Sequence, residues 1–332
     1  MVENKDALEK PGIGRSTRVG GLLLSLDFHV LIQQMILFYT IILVGYLAYR
    51  TRFLRDEDVA SLVFLLPKLF IPLLLFTSIL NSTDDLSALG VVFLGLALGH
   101  ALMIGLGYVT GRLFHLKNPT LGVHTAAVGF QNDGLMGDPL WLAIFPARAG
   151  LAIVAVSILY AVTQWTVAYP LTALRGSGYH FRLRNCITPP LVSVLASLAF
   201  LALDIHPSGV AWDALTGVGN CTKYLAMIYI GAAMAQKGFR RLLARPILFP
   251  STLIKMLAGP LLVFLLLRGL GFLDETWMLM IVMMMAMPAP MTLCIQAAMN
   301  HSDEDYAIGS MMLSTLVSLA TLPAVMYLAG VL

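Results

Sequence analysis

Charge is what this sequence has least of. Asp, Glu, Lys and Arg together make up 12% of the 332 residues, against roughly 25% in a typical soluble domain. A chain so poor in charge cannot cover a water-facing surface of this size. Cysteine is scarce as well: Cys186, Cys221 and Cys294 stand far apart with no CxxC spacing, and the seven histidines form no HxxxH pair. That gives no ligand set for a structural metal, so the expectation is no metal and no cofactor. Long polar stretches are missing too, which leaves no room for an appended soluble catalytic or sensory domain. The formal net charge of +3 is small and its basic residues sit in short loops, which argues against nucleic acid as a partner.

What is present is apolar sequence, 58% of the chain. Runs of about 20 apolar residues recur almost end to end, each long enough to cross a hydrocarbon layer of roughly 30 Å as a helix. Ten spans are predicted: 30–49, 59–80, 88–111, 120–145, 150–172, 189–203, 221–235, 247–270, 276–299 and 307–328. The fold class is therefore an all-α integral membrane protein, with membrane lipid as a partner.

Basic residues set the orientation. Twelve of the 21 Lys and Arg fall in the loops after spans one, three, five and seven, among them Arg50, Arg52, Arg55, Arg182, Arg184, Arg240 and Arg241. These loops are expected to face the cytoplasm, which puts both termini outside and the protein in the cell (inner) membrane. Lys5, Lys10, Arg15 and Arg18 at the start disagree with this orientation. They precede Leu22 to Leu26, too short to span and without a small-residue cleavage site, so residues 1–27 read as a flexible or interfacial tail rather than a signal peptide.

A shift of about 157 residues lays the first five spans over the last five. The predicted domains are the tail 1–27, a first five-helix repeat 28–174, a cytoplasmic loop 175–188 and a second repeat 189–332. Because five is odd, the second repeat would enter the membrane from the opposite side, the inverted architecture that secondary transporters use.

Two spans are interrupted at corresponding places. Span four contains Gln131-Asn132-Asp133-Gly134-Leu135-Met136-Gly137-Asp138-Pro139, and polar groups of this kind cost several kcal/mol each in hydrocarbon unless protein or a wet cavity shields them. Span nine contains Met287-Pro288-Ala289-Pro290-Met291, where two prolines remove backbone donors. Each break would present a half-helix N-terminus at membrane depth, with unpaired N–H groups and partial positive charge suited to a carboxylate. Kinks that serve only packing are the alternative reading of either break, and the pairing favours a site.

Asp133 and Asp138 are the only acids inside the predicted spans. They are candidates for binding a coupling proton or sodium ion, or for structural work, with Asp138 capping the second half-helix or pairing with a membrane lysine. Lys68 lies mid-span, as a substrate contact, a counter-ion or a side chain reaching for the interface; Lys223 and Lys255 are placed near span ends. Gln164 offers an amide to a carboxylate or to a neighbouring helix. His100 and His124 read as packing groups more readily than proton relays, and the methionines from 278 to 287 as apolar filler.

Three stretches together resemble the auxin efflux carrier family, which includes plant auxin exporters and bacterial malonate and malate carriers. The first runs from Gly45-Tyr46 through Arg52-Phe53-Leu54 to Leu66-Pro67-Lys68 and Ile71-Pro72-Leu73-Leu74-Leu75-Phe76. The second is Asn132, Gly134, Gly137 and Pro139. The third is Met287-Pro288, Ala297-Ala298, the acidic residues 303 to 305, Leu313-Ser314-Thr315-Leu316, and Ser318-Leu319 to Leu322-Pro323. The resemblance implies a ten-helix inverted repeat with crossing broken helices four and nine, a fold similar to bile acid sodium symporters, a substrate site at the crossing, and often a homodimer. The sequence departs from the family at Asp133 and Asp138, where a small polar and an apolar residue are more usual.

The function expected is a secondary carrier of small organic anions, mono- or dicarboxylates or auxin-like acids, and not an enzyme. Asn132, Gly134, Gln131, Gln164, Pro288, Pro290 and Met291 are the candidate substrate-binding residues. The rivals are a proton- or sodium-coupled symporter of another organic acid, a channel, and a ligand sensor without a transport cycle. An intramembrane aspartyl protease needs two close carboxylates on different helices, whereas these two lie five residues apart on one.

Overall fold

The computed structural model describes residues 28–81, 86–173, 186–238 and 245–331. The expectations for the tail 1–27 and for most of the loop 175–188 fall outside the described residues. Among the described residues every regular element is a helix: α1 (Phe28–Arg50), α2 (Asp56–Leu80), α3 (Leu89–Leu113), α4 (Thr120–Gly129), α5 (Asp138–Ile144), α6 (Ala149–Thr172), α7 (Pro189–Ala202), α8 (Val210–Asn220), α9 (Thr222–Lys237), α10 (Leu248–Leu270), α11 (Glu275–Met285), α12 (Met291–Met299) and α13 (Glu304–Val331). Six of them, α1, α2, α3, α6, α10 and α13, are long and apolar enough to cross a membrane. Their outer faces carry Leu43, Val44, Phe64, Leu94, Val109 and Leu265 in the open, a surface that suits hydrocarbon and not water.

Proline shapes the helices around the site. Single π turns occupy Leu66–Phe70, Asp133–Gly137, Gln164–Ala168 and Ile254–Ala258. Each is followed two residues on by a proline: Pro72, Pro139, Pro170 and Pro260. A proline ring displaces the carbonyl four residues back and donates nothing itself. The residue before it then bonds the carbonyl five back, as Ile71 does to Leu66, Asp138 to Asp133, Tyr169 to Gln164 and Gly259 to Ile254, which widens the helix by one residue.

Close packing holds the long helices together. Gly45 of α1 faces the backbone of Ile228, and Gly231 of α9 faces that of Ile42, so near that a Cβ on either would overlap a carbonyl oxygen. Small residues permit such approach where no water is available to drive association. Tyr39 of α1 donates its hydroxyl to the Thr315 carbonyl of α13, with Ser318 at 2.5 Å.

Two details differ from the sequence reading. Residues 210–220, read as loop, form α8, whose alternating glycine, alanine and polar positions had hidden an amphipathic turn pattern. Lys255 is not near a span end: it lies in the π turn of α10 and is 2% exposed. Counting from the apolar boundary placed it within reach of the interface, whereas the widened turn points it inward.

Candidate functional site

Both predicted interruptions are breaks in the chain's helices. After α4 the backbone runs extended at Phe130 (φ −108°, ψ 149°) and irregular at Asn132 (φ −83°, ψ 66°) before the π turn leads into α5. After α11 the chain leaves the helix at Ala286, and Pro290 (φ −77°, ψ 148°) opens α12. The residue before a proline is pushed out of the helical region, and Met287 and Ala289 both precede one.

The two breaks touch. The Asn132 N–H donates to the Pro288 carbonyl at 2.9 Å, and Trp141 of α5 donates its indole N–H to the Met280 carbonyl of α11 at 3.0 Å. At one end, Thr120 at the start of α4 donates to Asp303 just beyond α12 at 2.5 Å, and Arg245 pairs with the same carboxylate. At the other, Arg148 just beyond α5 grips both oxygens of Asp274 at 2.8 and 2.7 Å, and Asp274 caps the start of α11 through the Trp277 N–H. The start of one broken segment thus meets the end of the other, so the pair lies antiparallel with the breaks together in the middle.

The orphan carbonyls that end α4 are met by side chains. Lys255 donates to the carbonyls of Val128 at 3.1 Å and Phe130 at 2.9 Å, and the Gln131 amide donates to Gly129 at 2.9 Å. His100 bonds the Gln131 oxygen at 3.1 Å from α3. Gly137 packs against the end of the Met284 side chain of α11: a Cβ there would sit 2.6 Å from its sulfur and make that side chain shift.

On the other side of the breaks lies a cavity of about 390 Å3, within the range of small-ligand sites. Its walls come from α2, the α4–α5 break, α6, the start of α7 and α12. Of the residues singled out in the sequence, Asn132, Asp133, Gly134, Asp138, Gln164, Pro290, Met291 and Lys68 line it. Gln131 and Pro288 do not; they brace the crossing from behind. Lys68 rests its ammonium 3.6 Å from the Phe64 ring centre.

Asn132 makes no capping bond to the π turn that follows it, the amide oxygens of Gln164 and Gln296 are without a hydrogen-bond partner among the described residues, and the N-terminus of α12 has no side-chain cap. Asp138 is 3% exposed, one of its oxygens has no hydrogen-bond partner, and it neither caps α5 nor pairs with a lysine. Tyr160 meets Thr292 at 2.9 Å across the cavity wall, and Gln296 presents a second buried amide. Sequence reasoning passed over Tyr160, Thr292 and Gln296. The signal available was their spacing: Tyr160 lies one turn from Gln164, and Gln296 follows Pro290 on the same short helix.

The model of the family described as membrane transport protein matches residues 30–326. A protein of Methanothermobacter thermautotrophicus described as an uncharacterized transporter is 26% identical over 298 residues, covering 85% of this chain and 93% of its own length. Multi-pass helices, paired breaks around one cavity and a match across nearly the whole chain lead to one assignment: this chain belongs to the membrane transport protein family, that of the auxin efflux carriers.

Proposed function

We propose that the protein is a secondary carrier of small organic anions, mono- or dicarboxylates or auxin-like acids, which bind in the cavity where the two broken helices meet. One observation carries the reading: the cavity brings together Asn132 and the uncapped N-terminus of α12 at Pro290–Thr292. Backbone N–H groups and the positive end of a helix dipole attract a carboxylate most where water is scarce. The remaining wall is largely apolar, with Ile71, Leu75, Leu135, Trp165 and Ile295, and it accommodates the body of the acid. Ten membrane crossings in two inverted repeats supply the alternating access, with α4–α5 and α11–α12 as the crossed pair and the other helices rocking about them.

The cavity wall includes Tyr169, Thr188 and Met299, which the predicted topology puts on the cytoplasmic side. On this reading the cytoplasm is the side of access, and the Arg148–Asp274 pair belongs to the opposite, outer side. A coupled symporter is the second reading, and Asp138 favours it. A buried carboxyl without a partner is stable only as the neutral acid or beside a cation, so a proton carried on Asp138 would travel with the anion.

Counterflow of radiolabelled malonate, malate and indole acetate in proteoliposomes, with and without proton and sodium gradients, tests both readings. Saturable exchange of at least one acid is expected. Gradient-driven uptake that disappears in Asp138→Asn supports coupling, and absence of exchange for every acid contradicts the carrier.

A further inference from the structure

Lys255 has no role in the reading above. Its ammonium reaches from the π turn of α10 to the C-terminal end of α4 and donates to the carbonyls of Val128 and Phe130. These carbonyls are the negative end of a half-helix, stranded at membrane depth beside a break. Unwound carbonyls and half-helix C-termini in broken-helix transporters are seats for a dissolved cation. The seat here is filled by a side chain.

Lys255 is 2% exposed, so the two carbonyls and the polar groups beside it stand in for water around the ammonium. Asp133, His100 and His124 are its titratable neighbours. Behind it a hole of about 10 Å3 is lined by His124, Ser251, Thr252, Ser310 and Ser314 as well as by Lys255 itself, close to the size that holds a single water. Ser314 also accepts the Ala289 N–H of the second break at 3.0 Å. His124 bonds Thr110 and Tyr306, and Tyr306 bonds Ser251, so the polar shell is fixed from α3, α4, α10 and α13. One ammonium and its shell therefore hold both breaks.

We propose that Lys255 is a tethered cation: its ammonium takes the place that a sodium or potassium ion would otherwise occupy at the crossing, so the crossed breaks hold together without a bound metal ion. The carrier reading enters only through the flux assay below, since the crossing exists whatever the cargo.

The test replaces the tether by free cations. Lys255→Ala leaves a vacancy continuous with the polar hole, of a size for methylammonium or for a sodium ion with one or two waters, whereas Lys255→Met keeps the apolar stem and removes only the charge. Thermal unfolding of the purified protein in detergent is followed in sodium, potassium, methylammonium and choline chlorides at equal ionic strength. The wild type is expected to melt at the same temperature in all four. Lys255→Ala is expected to melt lower by about 4 °C or more and to recover part of that loss in methylammonium or sodium but not in choline, while Lys255→Met recovers nothing. In proteoliposomes the flux of Lys255→Ala falls about tenfold or more, as expected for loss of charge-assisted bonds to carbonyls, and rises again with methylammonium. Wild-type melting or flux that requires sodium overturns the proposal, as does Lys255→Ala behaving like the wild type in choline. Should Lys255→Ala fail to fold, the wild-type salt series and Lys255→Arg, which keeps the charge and is expected to fold, still decide. A wild type that melts as expected but carries no acid refutes the carrier reading and leaves the tethered cation standing.

Discussion

Asp303 shows how a single carboxylate ties the two broken segments together. Burial alone would raise its pKa, but bonds from Thr120, Arg245 and the Tyr306 N–H together hold it below the ordinary value. A carboxylate held low stabilises the fold at pH values above the unfolded-state value of about 4 and loses that contribution as pH falls through its lower folded value. Asp303→Asn is therefore expected to lower stability by about 1 to 3 kcal/mol at neutral pH and to flatten the acid limb of a plot of melting temperature against pH; a variant that melts like the wild type from pH 7 to 4 contradicts this. At this scale the sequence was only partly legible. Asn132, Asp133 and Asp138 stood out because polar groups are conspicuous in apolar runs. Lys255 was equally conspicuous but misplaced, since its partners are backbone carbonyls more than a hundred residues away, and carbonyls carry no sequence signal.

Helix breaks, by contrast, are written in side chains. Glycine and proline in 129–139 and 287–290 announce both interruptions, and they fall where expected. The π turns were equally announced by Pro72, Pro139, Pro170 and Pro260, but a proline read only as a kink does not reveal that the helix widens ahead of it. If the second break exists to present the α12 N-terminus, then Pro288→Ala combined with Pro290→Ala should let the helix run through. Melting temperature should hold or rise while flux falls about tenfold or more, the trade of function for stability expected at a strained site. Unchanged flux would argue that the prolines serve packing alone. Gly231→Val tests the packing of α1 on α9: the added side chain meets the Ile42 carbonyl, and a loss of about 2 kcal/mol or more is expected as a lowered melting temperature.

For the whole molecule, apolar runs gave the membrane class and six unbroken spanning helices directly. The other four predicted spans correspond to shorter or broken helices, α4–α5, α7, α9 and α11–α12, whose length does not mark them as membrane crossings and whose crossing belongs to the proposed inverted repeat. What brings Asn132 to Pro290 is the antiparallel pairing of segments some 150 residues apart in the chain. The internal shift hinted at that pairing, but the contacts that make it, Asn132 to Pro288, Thr120 to Asp303 and Arg148 to Asp274, have no mark in sequence. An anion held where these two breaks meet depends on Asn132, so concentration-dependent counterflow of the best-exchanged acid, in wild type and Asn132→Ala reconstituted at equal density, decides the proposal. An apparent affinity weaker by about tenfold or more, with the protein still folded, is expected; saturation at the same concentration in both proteins would place the anion elsewhere.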